Sequence, residues 1–303
     1  MPTPATGKPL KDLLAGAQLP ALPQSAIRLL ELSQDPNKSP SEFATPIEAD
    51  PGLAGQVLRF VNSSYFGFAR EISSVKLAIQ LVGIRTVKNF ALWSAVFSLM
   101  PNPKCGPFDL RNLWVDSLRR GLFARTVGKS LGVQEAEDLF AAALLQDMAV
   151  PVLAKELPDA YVKLLTERHA QGTRLSELER ATFGWDHAQA GGVICRMWSL
   201  PESFAKIVEQ HAKLNELMAA GSKEYGVLAV GLSALTPGVL DTQWHDCEQM
   251  TAAYQKLAGA KAIPVAELFG QIDAEFADIA PILKLPMPSR TLVSYLNTEP
   301  AKA

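Results

Sequence analysis

AAALLQDMAVPVLA, residues 141 to 154, is an apolar helical stretch with a polar pair, Gln146 and Asp147, in its middle. The small and aliphatic side chains belong in a core, whereas an amide and a carboxylate placed there need hydrogen-bond partners. What surrounds that pair decides both the fold and the chemistry open to it. On either side of the stretch, helix punctuation recurs and strand patterns are nearly absent.

Upstream, in SPSEF, Ser39 is placed to cap a helix, Pro40 suits the first helical position and Glu42 sits at the capping-box spacing. Asp50 and Pro51 repeat the device, and Leu53, Val57, Phe60 and Val61 then share one helical face. The polar connection VNSSYFGFAREISS follows. Beyond it Val75, Ala78, Ile79 and Val82 mark a helix that Gly83 ends, and another runs from about Thr86 to Met100. PNPKCGP, with three prolines, cannot continue that helix and marks a boundary between lobes.

The next helix, FDLRNLWVDSLRRGLFARTVGKSLG, carries a broad apolar face from Leu110 to Val127 and ends at Gly132. Helices are then expected over Glu135 to Val150, over Pro158 to Ala170, and from Ser176, with Glu179 again at the capping-box spacing. Asp186 caps a further helix and Pro201 starts its successor. From Asp241 two more helices precede a tail, MPSRTLVSYLNTEPAKA, expected to fray. The chain reads as all-α, a two-lobed multi-helix bundle. Its segments are an extension over 1–18, a first lobe over 19–103, a second over 104–240 and a helical extension over 241–303.

Length and composition agree with a folded, two-lobed chain: 303 residues, 48% hydrophobic and 20% charged. A net charge of −2, from 29 basic and 31 acidic residues, gives no broad footprint for nucleic acid. A local basic patch around Arg111, Arg119, Arg120, Arg125 and Lys129 leaves nucleic-acid binding as a disfavoured alternative. Cys105, Cys195 and Cys247 are isolated, so neither a disulfide framework nor a thiolate zinc site is implied, and a reducing cytoplasm fits best. The first residues lack the apolar core of a signal peptide. The most apolar run, FALWSAVFSLM, falls well short of the ~20 residues that span a bilayer, so no membrane span is expected. Phosphate-binding loops, dinucleotide fingerprints, His-Glu-x-x-His and Gly-x-Ser-x-Gly are all missing.

Three stretches, LPALPQSAIRLLELSQDP, IEADPGLAGQVLRFVNSSYFG and ISSVKLAIQLVGIRTVKNFAL, resemble in order and spacing the N-terminal signature of the HDOD family. FGWDHAQAGGVICRMWSLPESFAKIVEQH resembles its C-terminal signature. The similarity runs from about residue 19 to 235. It implies an HD-like helical core in the second lobe and a bacterial signalling module, in motility, biofilm or cyclic-dinucleotide circuits, related to the HD phosphohydrolases but without their metal-ligand set.

Those phosphohydrolases converge imidazoles and carboxylates on one or two cations that activate water. By the resemblance, their first histidine falls at Asp116, their His-Asp pair at Gln146 and Asp147, and their last aspartate in VLAVGLSAL, which has no ionisable group. Asp147, His187 and His211 remain, the histidines resembling the additional pair of the cyclic-dinucleotide phosphodiesterases. A residual pocket would comprise Asp116, Gln146, Asp147, His187 and His211, with Asp116, Asp147, His187 and His211 as a weak set of metal ligands. The neutral glutamine amide argues against a metal.

Each residue also has a structural reading. Asp147 can accept bonds from helix ends, His187 can bond a backbone group or Asp147, and His211 suits a helix C-terminus. His169 and His245 read as surface residues, and Arg119 and Arg120 as solvating separate faces. In the polar connection, Asn62 can end a helix in a left-handed turn, Gly67 permits positive φ, and Tyr65, Phe66 and Phe68 can plug the lobe interface. The same loop, with Asn62, Ser63, Tyr65, Phe66 and Gly67, is the alternative as an interaction surface.

The expected function is a non-catalytic regulatory module with no cofactor, acting through a protein partner or a small ligand. The open alternatives are a residual phosphohydrolase and a nucleotide-binding pocket without turnover. The helices after 241 are a candidate docking element.

Overall fold

The computed structural model describes residues 9–297, save Gln18, Gln34 and Pro36, and is all-α, with no strand among the described residues. Its first half comprises α1 (Leu10–Gly16), α2 (Gln24–Leu32), α3 (Pro40–Glu48), α4 (Pro51–Val61), α5 (Val75–Val82) and α6 (Ile84–Leu99). Local chemistry sets these starts. Ser39 and Glu42 form a reciprocal capping box at α3, and the Asp50 and Ser74 side chains accept from the Leu53 and Leu77 amides at α4 and α5. Phe60 of α4 stacks on Phe90 of α6 at 4.0 Å between centroids, so the apolar faces read in sequence meet.

The second half begins with α7 (Leu110–Ser130), α8 (Ala136–Leu145) and α9 (Ala149–Glu156), followed by α10 (Pro158–Gln171) and α11 (Leu175–Phe183). Next come α12 (His187–Met197) and α13 (Glu202–Gln210), a 3-10 turn over His211–Lys213, then α14 (Leu214–Ala219) and α15 (Tyr225–Ser233). The chain closes with α16 (Cys247–Ala258), α17 (Val265–Ile279) and α18 (Leu292–Leu296). α7 is the axis, packed by α8, α15 and α17. α12 and α13 lie unusually close: a Cβ on Gly191 would meet Val208 Cγ1 at 2.8 Å, and one on Gly192 would meet Glu209 Cβ at 2.7 Å. The glycine pair of the C-terminal signature is thus a steric requirement.

Several expectations are corrected. The helix foreseen over Glu135 to Val150 is two helices, broken over Gln146 to Met148. Pro151 explains the break, because its ring has no N–H and conflicts with the carbonyl four residues earlier, that of Asp147. Ser176 does not open α11. Arg174 is its N-cap, and Glu179 is wholly buried with a different task. Asn62 follows α4 with φ −83°, not left-handed, and its side chain instead pairs with both backbone groups of Ile72. Gly67 does take positive φ, +64°.

The tail expected to fray holds α18 instead, with Leu292 and Tyr295 buried and the Leu292 and Val293 amides donating to Asp273. Its residues 298–303 lie outside the described residues, as do 1–8 of the N-terminal segment. The rest of that segment is anchored: Leu14 of α1 is buried and Trp198 Nε1 donates to the Pro20 carbonyl at 3.1 Å. Of the helices after 241, α17 buries its apolar face on α7, where Phe123 meets Phe269 and Phe276 is 1% exposed. That face is therefore spent within the chain.

Candidate functional site

The break between α8 and α9 puts Asp147 where a helix interior would not, at the meeting of α7, α12 and the turn after α13. Asp147, His187 and His211 come together there, all buried, with their ligand-type atoms within 4.8 Å of one another. His187 Nε2 is 3.2 Å and His211 Nε2 is 3.4 Å from Asp147 Oδ1. The other oxygen, Oδ2, accepts from Arg120 Nη1.

His187 is held from behind by Glu179. One Glu179 oxygen accepts from the His187 amide at 2.7 Å and from its Nδ1 at 2.6 Å, while the other accepts from the Tyr161 hydroxyl at 2.6 Å. His187 Nδ1 thus carries a proton toward Glu179, and Nε2 carries one toward Asp147. Burial by itself would lower the His187 pKa, but the Glu179 and Asp147 carboxylates outweigh it and hold the ring well above the usual histidine range. His211 Nδ1 lies 2.7 Å from the Val208 carbonyl, and its Nε2 is 3.3 Å from His187 Nε2. Both imidazoles thus face the same oxygen of Asp147. Burial pushes Asp147 up, but Arg120 and the His187 hydrogen bond bring its pKa well below the usual carboxylate range.

Charge closes within this group. Arg120 and protonated His187 face Asp147 and Glu179, two cations against two carboxylates. A transition-metal ion needs lone pairs, and here the carboxylate is bound by a guanidinium while one imidazole Nε2 is protonated. Gln146, fully buried, adds a neutral amide whose Oε1 is 3.5 Å from Ser233 Oγ and whose Nε2 has no partner among the described residues. Asp116 stands outside the group. Its Oδ1 accepts from the Val239 amide at 2.8 Å, and burial raises its pKa to about 6 against the opposing effect of Arg120. Asp147, His187 and His211 are a group of the kind that could hold a metal ion, with Arg120 on one oxygen of the carboxylate in this arrangement.

Sequence reasoning missed Glu179, which reads as a cap from its spacing, and Arg120, whose partner is 27 positions away. It also placed His211 at a polar helix end, whereas the ring is 2% exposed because the 3-10 turn tucks it inward. The basic concentration on α7 is not a surface patch. Arg119 is buried and donates to the Arg290 carbonyl, and Arg125 is buried against Glu275, with its guanidinium 4.9 Å from the Tyr65 ring.

A cavity of about 190 Å³ opens from the cluster, lined among others by Asp116, Arg120, Asp147, His187 and His211. The segment after α15 builds one wall, with Asp241 taking both Arg168 amino groups at 2.5 and 3.0 Å. Arg174 also lines the cavity, bound to Asp246 at 2.7 Å. His169 and His245 are exposed and sit at the same cavity.

The loop residues lie elsewhere. Ser63 Oγ bonds the Phe60 carbonyl, Ser64 Oγ donates to Asp278 of α17 at 2.7 Å, and Phe66 packs edge-on against Phe60 and Tyr65. Tyr65 reaches α7 through Arg125. The loop ties the first half of the chain to α7 and α17, and Phe68, 37% exposed, is the aromatic left facing solvent.

The model of the HDOD domain family matches residues 19–214. An uncharacterised protein of Treponema pallidum (strain Nichols) is 23% identical over 197 residues, 65% of this chain but 38% of its own length, so the match spans well under half of that relative. An HDOD domain protein of unknown function from Geobacter sulfurreducens superposes with TM-score 0.72 at 20% identity, over 90% of this chain and 96% of its own. A Shewanella amazonensis SB2B protein provisionally named a phosphohydrolase gives 0.68 at 20% identity, over 90% and 97%. These structural likenesses establish the fold. No helix among the described residues is long and apolar enough to cross a membrane.

Proposed function

The chain belongs to the HDOD domain family, and from that premise we propose that it is a non-catalytic regulatory module of a bacterial signalling pathway, working in the cytoplasm through a protein partner or small ligand. The observation that carries this reading is the Arg120 guanidinium on Asp147, with protonated His187 on the other oxygen. A tethered cation and a proton stand where a phosphohydrolase needs an ion and open lone pairs. In this reading the pairs of Asp147 with Arg120, His187 and His211 act as a strut joining α7, the α8–α9 junction, α12 and the turn after α13.

The cavity beside the cluster favours one second reading, a nucleotide held there without turnover. Its arginines, Arg168 and Arg174, are already bidentate or doubly bonded to aspartates, so a phosphate would compete with existing pairs.

The test is elemental analysis of full-length protein incubated with Mn, Fe or Zn and desalted, together with hydrolysis of bis(p-nitrophenyl) phosphate and cyclic dinucleotides. Metal well below one ion per chain and no turnover are expected. Near-stoichiometric metal with a turnover that Asp147→Ala abolishes would overturn the reading, in favour of a residual phosphohydrolase. Calorimetry with nucleotides separates the second reading from the first.

A further inference from the structure

A second cavity, of about 90 Å³, lies where α2 and α6 meet α8 and α13. Its walls are largely apolar, with Leu30, Leu92, Leu145, Phe204 and Ile207 among them. Two unpartnered hydrogen-bond donors on α6 break that pattern. Trp93 is 1% exposed, and its indole N–H has no acceptor among the described residues. Lys88 is half-buried at the same cavity, and its ammonium has no hydrogen bond or ion pair among them. Burial lowers the Lys88 pKa, with Asp138 opposing at longer range.

Unmet donors in an apolar setting are costly to a fold and select for an acceptor when one is offered. Acidic competition is weak here. Asp138 at the rim already accepts from Asn89 Nδ2 at 2.7 Å and faces Arg85 at 3.8 Å, so its charge is engaged. The converse ligand, an amine seeking Asp138, would leave both α6 donors unmet and add a cation beside Lys88.

The geometry points to a binding site for a small monocarboxylate with a short aliphatic tail, its carboxylate on Lys88 and Trp93 and its chain among Leu30, Leu145, Phe204 and Ile207. The cavity is several times the roughly 10–15 Å³ needed to hold one water, which suits an acid with a short chain. This site is separate from the polar cleft around Asp147, and the inference stands whether or not that cleft turns over a substrate. It gives the chain a way to sense a metabolite acid at the junction between its two halves.

The experiment is calorimetric titration of the full chain with hexanoate and, in parallel, with hexanol. Saturable binding of one hexanoate per chain is expected, with hexanol at least tenfold weaker. Lys88→Met, which trims a half-exposed side chain, and Ala141→Leu, which fills the cavity wall, should each weaken hexanoate at least tenfold. Arg174→Ala, in the polar cleft, should leave it unchanged. Thermal midpoints check folding, and Lys88→Met keeps the test decisive if Ala141→Leu does not fold. No saturable heat would overturn the proposal. So would equal affinity for hexanol, which means apolar filling alone, or binding lost in Arg174→Ala but kept in Lys88→Met, which places the acid in the polar cleft.

Discussion

Arg120 donates to the one oxygen of Asp147 that the two imidazoles leave free. Asp147 is buried and the Arg120 side chain is only 14% exposed, so water replaces their contacts poorly. Removing one member leaves an uncompensated charge, a loss that typically exceeds the net worth of the pair. Arg120→Met should therefore cost about 3 kcal/mol of folding free energy at pH 7, read from urea unfolding. The double variant Arg120→Met/Asp147→Asn should recover much of that. A cost under about 1 kcal/mol would show that Asp147 finds its counter-charge elsewhere.

The same pair bears on metal affinity. Gln146→His restores the imidazole at the position where the phosphohydrolase pattern has one, yet Arg120 still holds the carboxylate. Gln146→His alone is expected to retain little Mn or Zn after desalting. Combined with Arg120→Met it should retain close to one ion per chain. If the single variant binds as well as the double, the guanidinium does not block the site.

How much of this was legible in the sequence depends on the range of each interaction. Ser39 and Glu42, three residues apart, form the capping box that their spacing implies, and Asp186 caps α12 as read, with Gln189 as a reciprocal partner that was not read. Glu179 shows the limit of that logic. Its spacing from Ser176 matches a cap, but α11 turns the carboxylate inward to His187 and Tyr161, a choice set by packing of α11 against α12 and α10. The Asp147 junction was hidden for another reason. The effect of Pro151 on the preceding turn was local and readable, but apolar periodicity on both sides masked it. The pairs of Arg120, Arg125 and Arg168 join residues 27, 150 and 73 positions apart, and nothing in a single sequence assigns them.

The raised His187 pKa gives a direction for stability against pH. An unfolded histidine titrates near 6.5, and the folded ring holds its proton to higher pH between Glu179 and Asp147. The stabilisation is full below about 6.5 and is lost as pH rises through the folded value. Wild-type unfolding free energy should thus fall from pH 6.5 into the alkaline range. Glu179→Gln, which removes one of the two carboxylates, should flatten that decline while lowering stability at pH 6. An unchanged slope would mean that another group carries the alkaline loss.

Asp116 behaves oppositely to a salt-bridged acid. Burial raises its pKa to about 6, so the folded state favours the protonated carboxyl, and ionisation costs stability as pH rises from about 4 to 6. Asp116→Asn keeps an oxygen for the Val239 amide and removes the ionisation. Relative to wild type, its thermal midpoint should rise across that interval and stay level above it. A difference that is constant with pH would show that Asp116 is solvated well enough to titrate normally.

Two glycine substitutions should act with opposite sign although both lie inside helices. Alanine is the better helix former by about 1 kcal/mol wherever its methyl group has room. In α4 the nearest atom to a Cβ on Gly55 is the end of the Arg59 side chain at 3.4 Å, which can move, so Gly55→Ala should stabilise by about 0.5–1 kcal/mol. In α12 a Cβ on Gly191 would lie 2.8 Å from Val208 Cγ1, inside the packed contact with α13. Relief requires α13 to shift, and α13 carries the Val208 carbonyl that fixes His211. Gly191→Ala should therefore destabilise by about 1–3 kcal/mol, the usual cost of overpacking, despite its better helix propensity. It should also alter the His211 imidazole resonances in NMR spectra, which Gly55→Ala should leave in place. If Gly191→Ala proved as stable as wild type with those resonances unmoved, the glycine pair would not be what sets the approach of α12 to α13.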